Sequence, residues 1–182
     1  MRYLFESPKK SVVRKPENMA SSIAEKVLEI RKESIKNCMG DFTMSHRQHY
    51  IDTIDGVSYY DDAQAESVNA TWFTFENIVN PVIWIVGGSC HTNYSELIET
   101  AKRKVKAIVS LGNEKENIEM TFKGVVNEIY EASDIAEAVK VASIIAEEND
   151  LVLFSPSCKD QVMSSDMRGI AFIKEVRKLT TE

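Results

Sequence analysis

The stretch PVIWIVGG, residues 81–88, decides the fold class of this chain. A run of large apolar residues closed by two glycines is typical of a strand buried on both faces of a parallel sheet. Further strands are predicted at KAIVSLG (106–112), VNEIYE (126–131) and DLVLFSP (150–156). Helical patterns separate them, at YSELIETAKRKV (94–105), EKENIEMTF (114–122), SDIAEAVKVASIIAEEN (133–149) and DMRGIAFIKEVRKL (166–179). The alternation predicts an α/β, Rossmann-like, mostly parallel sheet with helices on both faces.

A β-hairpin and a helix are predicted before this alternating region. HYIDTI and VSYYDD flank Asp55-Gly56, a strong signal for a two-residue hairpin turn. Residues 66–78 have the apolar spacing of a helix, and Ser133 is the expected N-cap of the later long helix.

The first 44 residues differ from the rest and are treated as a separate segment, followed by a domain at 45–182. A long helix is predicted at 17–40, ending at Gly40. One face of it carries apolar residues, which are Met19, Ile23, Val27, Ile30 and Ile35. We expect this face to pack on protein, either this domain or a second copy, because exposed aliphatic side chains are costly.

Composition narrows the class of protein. The chain has 182 residues, of which 43% are hydrophobic, and its formal net charge is 22 − 28 = −6. An acidic chain without a basic cluster argues against nucleic acid as a partner, and we expect no membrane partner either, because no apolar run reaches membrane-spanning length. The three cysteines are far apart and odd in number, which predicts a reduced protein in the cytoplasm.

Candidate site residues follow the strands, because parallel sheets bind ligands at the carboxyl ends of their strands. The loops are DDAQAE (61–66), GGSCHTN (87–93), GNE (112–114) and SPSCKDQ (155–161). If the strands before Cys90 and Cys158 are neighbours, both thiols and His91 lie at one edge. A metal site or a thiol nucleophile is then conceivable, but the absence of a C-x-x-C pair favours buried cysteines and no metal. GGSCH lacks the Lys-Ser/Thr ending of a P-loop.

Two basic positions have both a functional and a structural interpretation. His46 and Arg47 precede the hairpin, where they suit a phosphate contact or a hinge, although composition alone favours a solvated linker. Arg168 lies near a helix start, and taken alone it is better explained as a surface residue or an ion pair with Asp166.

Taken in order from Ser45 to Leu179, these segments resemble the carboxy-terminal domain of the Mur ligases, and most closely that of the D-glutamate-adding MurD members. The segments are HR (46–47), YYDDAQAESVNATWFTFE (59–76), VIWIVGG, NYSEL (93–97), IYEASDIAEAV (129–139), LVLFSPSC (151–158) and RGIAFIKEVRKL (168–179). The preceding helix is similar to the last helix of the family's central ATPase domain. In that family the carboxy-terminal domain presents the incoming amino acid to an acyl phosphate made with ATP and Mg²⁺.

The resemblance implies a site that has lost its charges. His46 and Arg47 match the hinge His-Arg, whose Arg contacts nucleotide phosphate, and Asp62 matches an Asp that meets the ribose. Gln64 stands at the position of a family lysine, and Glu66 at the position of a threonine. In the second loop Cys90 and His91 stand at an Asp and a Lys, and the loop after SPSC is shortened. The remnant ligand-binding positions are therefore His46, Arg47, Asp62, Gln64, Cys90, His91, Ser155, Cys158 and Arg168.

These substitutions lead to a functional expectation. The acid Glu66 repels the anions that this loop receives in the family, and the uncharged Gln64 offers them no positive charge. We expect a stand-alone, degenerate domain without catalytic residues, ligase activity or cofactor, acting as an interaction or regulatory module on a protein partner or on another copy. The alternative is one subunit of a split Mur-type ligase in peptidoglycan precursor synthesis, which would use ATP and Mg²⁺.

Overall fold

The computed structural model describes residues 26–27, 29–30 and 46–180. The chain divides into two compact units, Met1–Gly40 and Asp41–Glu182. In the first unit, Lys26, Val27, Glu29 and Ile30 are helical and exposed. Met19, Ile23, Ile35 and Gly40 lie outside the described residues, so the packing of this helical face stays a prediction.

The second unit is built on one six-stranded sheet. Its strands are β1 (His49–Ile54), β2 (Val57–Asp61), β3 (Val82–Gly88), β4 (Val105–Gly112), β5 (Glu128–Ala132) and β6 (Leu151–Phe154). Their order across the sheet is β1-β2-β6-β3-β4-β5, and all neighbours are parallel except the β1–β2 pair. The predicted hairpin is confirmed, with Asp55 and Gly56 both at positive φ as its two-residue turn requires.

Within residues 46–180, four α-helices connect the strands and a fifth follows β6. They are α1 (Val68–Asn77), α2 (Ile98–Lys104), α3 (Lys115–Phe122), α4 (Ile135–Ile145) and α5 (Ser165–Lys178). The connections from β2 to β3, β4 and β5 advance in one direction across the sheet, whereas the connection from β5 to β6 returns. Because such crossovers are right-handed, α1–α3 cover one face and α4 covers the other, where it packs against α5. The predicted α/β sheet with helices on both faces is confirmed.

The core explains why the apolar strands lie at the centre. Every residue of Val82–Val86 is fully buried, and Trp84 packs edge to face on Phe75 and Phe122 at 5.1 and 5.6 Å between ring centroids. The indole nitrogen of Trp84 donates a hydrogen bond to the carbonyl oxygen of Ser155 at 2.8 Å. Burial of β3 therefore also fixes the start of the loop that follows β6.

Local details differ from the sequence predictions. Asp134, rather than Ser133, is the N-cap of α4, because its carboxylate accepts a hydrogen bond from the backbone N–H of Glu137. Ser133, the residue before this N-cap, instead donates both its backbone N–H and its hydroxyl to the Glu137 carboxylate. The helix ends at Ile145 instead of continuing to residue 149, and the segment 94–105 divides into a short 3-10 helix, Ser95–Leu97, and α2.

Candidate functional site

The loops after β2, β3, β4 and β6 meet at the carboxyl edge of the sheet. We call them loop 2 (62–67), loop 3 (89–94), loop 4 (113–114) and loop 6 (155–164). They contain, or lie beside, every position for which the sequence predicted a role.

The two adjacent acids at the end of β2 have separate basic partners. Asp61 contacts Nδ1 of His46, and Asp62 accepts a hydrogen bond from Nη1 of Arg47. Both acids are fully buried, and the side chains of His46 and Arg47 are only 12% and 9% exposed. The interpretation of His46 and Arg47 as a solvated linker is therefore wrong: they are held by two buried carboxylates.

Asp62 has hydrogen-bond donors on both of its carboxylate oxygens. Besides Arg47, Oδ1 accepts the backbone N–H of Gln48 at 3.1 Å. Oδ2 accepts the hydroxyl groups of Thr74 and Ser155 at 2.7 and 2.9 Å. Burial raises the pKa of Asp62, while Arg47 and the hydrogen bonds lower it. These contacts use the full acceptor capacity of the carboxylate inside the domain.

Loop 2 is hydrogen-bonded to the segment that carries His46 and to α5. Gln64 donates its side-chain amide to Asp166 at 2.8 Å, and its backbone N–H bonds the carbonyl oxygen of His46 at 3.1 Å. Ala63 and Ala65 are fully buried. The amide of Gln64 is therefore directed at an acid of the first turn of α5 rather than at an anion-binding position.

Arg168 is buried between loops 2, 3 and 6. Its Nη2 donates to the carbonyl oxygen of Cys158 at 3.3 Å and lies 3.7 Å from a carboxylate oxygen of Glu66. Burial lowers the pKa of this arginine, and the charges of Asp160 and Glu66 oppose that shift. The expectation of a surface arginine or an ion pair with Asp166 is wrong, since Arg168 is only 3% exposed and faces Asp160 and Glu66.

The lack of a side chain at Gly88 leaves the space that the side chains of Asp160 and Arg168 occupy. The φ of this glycine, +147°, is rarely adopted by residues with a side chain. A Cβ at this position would collide with a carboxylate oxygen of Asp160 and lie 3.7 Å from Nη1 of Arg168. The same carboxylate oxygen accepts the backbone N–H of Ser89 at 2.9 Å, which ties loop 6 to loop 3.

Cys90 and Cys158 form a disulfide bond, with their Cα atoms 6.4 Å apart. β3 and β6 are adjacent parallel strands, so the predicted meeting of the two cysteines at one edge is confirmed. The expectation that the cysteines are all reduced is wrong for this pair, because neighbouring strand ends bring them within bonding distance. Cys38 lies outside the described residues.

A polar cavity of about 440 Å³ opens beside the disulfide. We call it the loop cavity; its lining residues are Glu66, Ser67, Val68, Cys90, His91, Thr92, Asn93, Ser157, Cys158, Lys159 and Gln161. Among these described lining residues, Lys159 is the lysine and Glu66 is the glutamate. The structure thus brings Cys90, His91 and Cys158 together at one cavity, while Arg47, Asp62 and Ser155 lie in the hydrogen-bond network beneath loop 2.

The sequence predicted a site loop at 112–114 but gave Glu114 in loop 4 no role of its own. This glutamate is fully buried and accepts a hydrogen bond from the Asn117 side chain at 2.9 Å. Nδ1 of the exposed His91 lies 3.4 Å from its other carboxylate oxygen. Burial raises the pKa of Tyr94, and the neighbouring Glu114 raises it further. A single Glu in a short loop carries no signal of burial; the sequence indicated this edge only through the loop GNE (112–114), which follows a buried strand.

Across 46–180 and the four described residues before them, no group of three or more His, Cys, Asp or Glu side chains is arranged to hold a metal ion. In the same part of the chain, no helix is both long enough and apolar enough to cross a membrane.

The sequence matches a family model described as "Mur ligase, glutamate ligase domain" over residues 46–158. Among its relatives are two proteins named UDP-N-acetylmuramoylalanine--D-glutamate ligase. The one from Christiangramia forsetii is 35% identical over 165 residues, covering 88% of this chain and 37% of the relative. The one from Clostridioides difficile is 36% identical over 169 residues, covering 90% and 38%. The chain therefore spans less than two-fifths of the length of these relatives.

Solved structures agree on the fold. A murein peptide ligase from Psychrobacter arcticus matches with a TM-score of 0.54 and 13% identity, over 78% of this chain and 30% of that one. A MurF ligase from Thermotoga maritima, solved in complex with ADP, matches with a TM-score of 0.51 and 17% identity, over 76% and 33%. At this level of identity the likeness concerns the fold alone.

Proposed function

The chain belongs to the Mur ligase family and carries its glutamate ligase domain, and from this premise we propose that it is a non-catalytic interaction or regulatory module of the MurD type. Its expected setting is peptidoglycan precursor synthesis in the cytoplasm. The ligase activity in the names of its relatives belongs to proteins more than twice the length that the chain covers, so the activity is not carried over with the family.

The observation that carries the proposal is the pairing of polar groups within the carboxyl edge. Ligation through an acyl phosphate requires positive charge where negative charge develops. Gln64 and His91 stand where the resemblance places lysines, and the Gln64 amide is bonded to Asp166. Arg168 is buried against the carbonyl oxygen of Cys158 and faces two acids. The pairs in and beneath loop 2 thus satisfy each other instead of receiving an anionic substrate, although Nε and Nη1 of the buried Arg168 have no hydrogen-bond partner among the described residues.

The two residues that the resemblance assigns to nucleotide binding support the same proposal. Arg47 and Asp62, which the resemblance assigns to phosphate and ribose, bond each other in a buried network. A ribose that bonded Asp62 would have to displace Arg47, Thr74 or Ser155, and each lost buried partner costs about 1–3 kcal/mol. We therefore propose that the chain uses neither ATP nor Mg²⁺.

A protein partner, or another copy of the chain, is the expected binding partner. Val162, Met167 and Ile170 are 82%, 58% and 60% exposed around the start of α5. These exposed apolar side chains near one helix end are the feature that supports a protein contact. Nucleic acid is not expected, because the net charge of −6 would be repelled by a phosphate backbone.

A second candidate function is one subunit of a split ligase, and the loop cavity favours it. The cavity is open and polar, and its lining includes Lys159, a cation able to hold a carboxylate. In this case ATP and Mg²⁺ would be supplied by a separate chain that contains the family's first two domains.

One reconstitution experiment separates the two candidates. The first two domains of the Clostridioides difficile relative are purified and mixed with this chain, and the ligation of labelled D-glutamate to UDP-N-acetylmuramoyl-L-alanine is measured. The positive control is the same fragment mixed with its own third domain. We expect no product above that of the fragment alone, both with and without dithiothreitol.

Variants make the result specific. Gln64→Lys combined with His91→Lys should not restore activity, because the buried pairs beneath loop 2 are unchanged. Measurable ligation by the unmodified chain would overturn the non-catalytic proposal, and its loss in Lys159→Ala would place the amino acid in the loop cavity.

A further inference from the structure

We propose that Cys90 and Cys158 form a reversible thiol–disulfide site whose oxidation state controls the mobility of loops 3 and 6 around the loop cavity. Its reductant is a dithiol. The proposal concerns these loops alone and does not depend on what the cavity binds or on whether the domain is catalytic.

The disulfide joins two walls of one cavity. Cys90 lies in loop 3 and Cys158 in loop 6, and both line the loop cavity together with Glu66 and Ser67 of loop 2. Two of the three loops around the cavity are thus covalently tied, and the third is not. Opening the bond therefore changes how far these two walls can separate.

Contacts other than this bond also hold β3, β6 and their loops together. Loops 3 and 6 leave β3 and β6, which pair in parallel from Val82–Leu151 to Ile85–Phe154. Neither cysteine belongs to the main apolar cluster of the core. Loop 6 is also hydrogen-bonded to β3, where the N–H of Gly87 donates to the carbonyl oxygen of Pro156 at 3.2 Å, and to loop 3, where the N–H of Gln161 donates to the carbonyl oxygen of Ser89 at 3.4 Å. Reduction should therefore loosen the loops while the sheet stays folded.

The disulfide can be attacked from the cavity side. Cys90 is 7% exposed and Cys158 is 3% exposed, so neither is open to bulk solvent, yet both border a cavity of about 440 Å³. Cytoplasmic disulfides in mesophiles are usually transient, catalytic or redox-sensing rather than structural. In the compartment expected for this chain, a disulfide at a cavity mouth therefore suits a reversible role.

The chemistry balances with the dithiol alone. A thiolate of the dithiol attacks Sγ of Cys90, the Cys90–Cys158 bond breaks, and Cys158 leaves as a thiolate that takes up a proton. The second thiol of the reductant then attacks the reductant's first sulfur, which is bonded to Cys90 in the mixed disulfide, and Cys90 is released as a thiol. The protein gains two electrons and two protons, and the dithiol becomes a cyclic disulfide.

The test equilibrates the full chain with mixtures of oxidised and reduced dithiothreitol. Alkylation of the unfolded protein and mass spectrometry should find a Cys90–Cys158 cross-link under oxidising conditions, with Cys38 alkylated. Under reducing conditions all three cysteines should be alkylated, while circular dichroism keeps its folded signal. Failure to form this cross-link, a cross-link to Cys38, or unfolding on reduction would each overturn the proposal.

Hydrogen exchange then measures the loops directly. On reduction, amide exchange in residues 89–94 and 157–163 should accelerate about tenfold or more, while residues 82–86 and 151–154 keep their protection. Unchanged exchange in the two loops would overturn the control of mobility. Cys38→Ser should respond as the unmodified chain does. The double variant Cys90→Ser with Cys158→Ser should show fast loop exchange at every redox poise; if it does not fold, the reduced unmodified chain supplies the same open state.

Discussion

At the carboxyl edge of the sheet, loop 2 and the pair formed by loops 3 and 6 lie side by side but are held by different bonds. Beneath loop 2, Asp61 and Asp62 are fully buried and bonded to His46 and Arg47. Between loops 3 and 6, a disulfide and a few backbone hydrogen bonds border an open polar cavity. The comparison teaches that residue type alone does not reveal a ligand site: charges that saturate each other inside the protein support the fold, whereas groups that border a cavity remain available.

The largest effect is expected from removing the centre of the buried network. Asp62→Ala deprives Arg47, Thr74 and Ser155 of their shared carboxylate and should lower the free energy of unfolding by about 3–5 kcal/mol. Urea denaturation followed by circular dichroism measures this change. Asp166→Ala is the matched control, because the hydrogen bond between Asp166 and Gln64 is exposed to solvent. We expect this variant to change the free energy of unfolding by no more than about 0.5 kcal/mol. Equal, small losses for both variants would mean that the network beneath loop 2 is not structural.

A smaller loss of stability is expected from a variant that disturbs the packing of α5 against His46 and Asp61. In Gly169→Ala, the added Cβ would lie 2.5 Å from Cγ of His46 and 2.8 Å from Oδ2 of Asp61. The crowding should cost about 1–3 kcal/mol of unfolding free energy. Adding His46→Ala removes the nearest obstacle, so the double variant should be more stable than the sum of the single losses predicts. Strict additivity in this double-mutant cycle would contradict the close contact between α5 and His46.

The smallest effect concerns the acid between loops 3 and 6. Burial raises the pKa of Asp160, but hydrogen bonds from the N–H groups of Ser89, Val162 and Met163, together with Arg168, lower it further than burial raises it. A carboxyl whose pKa is lower in the folded state contributes stability at pH values above its unfolded pKa, of about 3.9. That contribution is lost as the pH falls from there through the folded pKa.

Asp160→Asn should therefore flatten the acid side of the stability curve. Unfolding midpoints in urea between neutral pH and the acid limit measure the slope for both proteins. Because salt screens a partly buried charge and its contact-distance donors much less than exposed charges, most of the difference should persist at high salt. Parallel acid slopes for the variant and the unmodified chain would contradict the role of Asp160 in tying the loops.

The sequence predicted the fold well because the sheet is specified by local patterns. VIWIVGG, the Asp55-Gly56 turn and the helical periodicities each signal one element, and the element order then determines a parallel sheet. Helix ends were less predictable, since Ser133 and Asp134 are both good caps and only the backbone geometry selects Asp134. The loops of the candidate site were also predictable, because each one directly follows a strand and matches a segment of the Mur ligase resemblance.

The bonds within those loops were not predictable in the same way. Cys90 and Cys158 are 68 residues apart, and their pairing depends on β6 inserting beside β3. The same insertion places Ser155 against Asp62 and Arg168 against Glu66. Such contacts arise from the strand order, which has no local signature.

The most direct test of whether this edge satisfies its own charges is a titration of the isotopically labelled chain followed by nuclear magnetic resonance. D-glutamate and ATP with Mg²⁺ are added separately, up to millimolar concentrations, to the oxidised and to the reduced protein. We predict no saturable shift in the backbone signals of residues 46–48 and 62–67, nor in the side-chain amide of Gln64, for either ligand. Saturable shifts at Gln64, His91 and Lys159 on addition of D-glutamate, or at Arg47 and Asp62 on addition of ATP, would contradict the account and favour an active ligase domain.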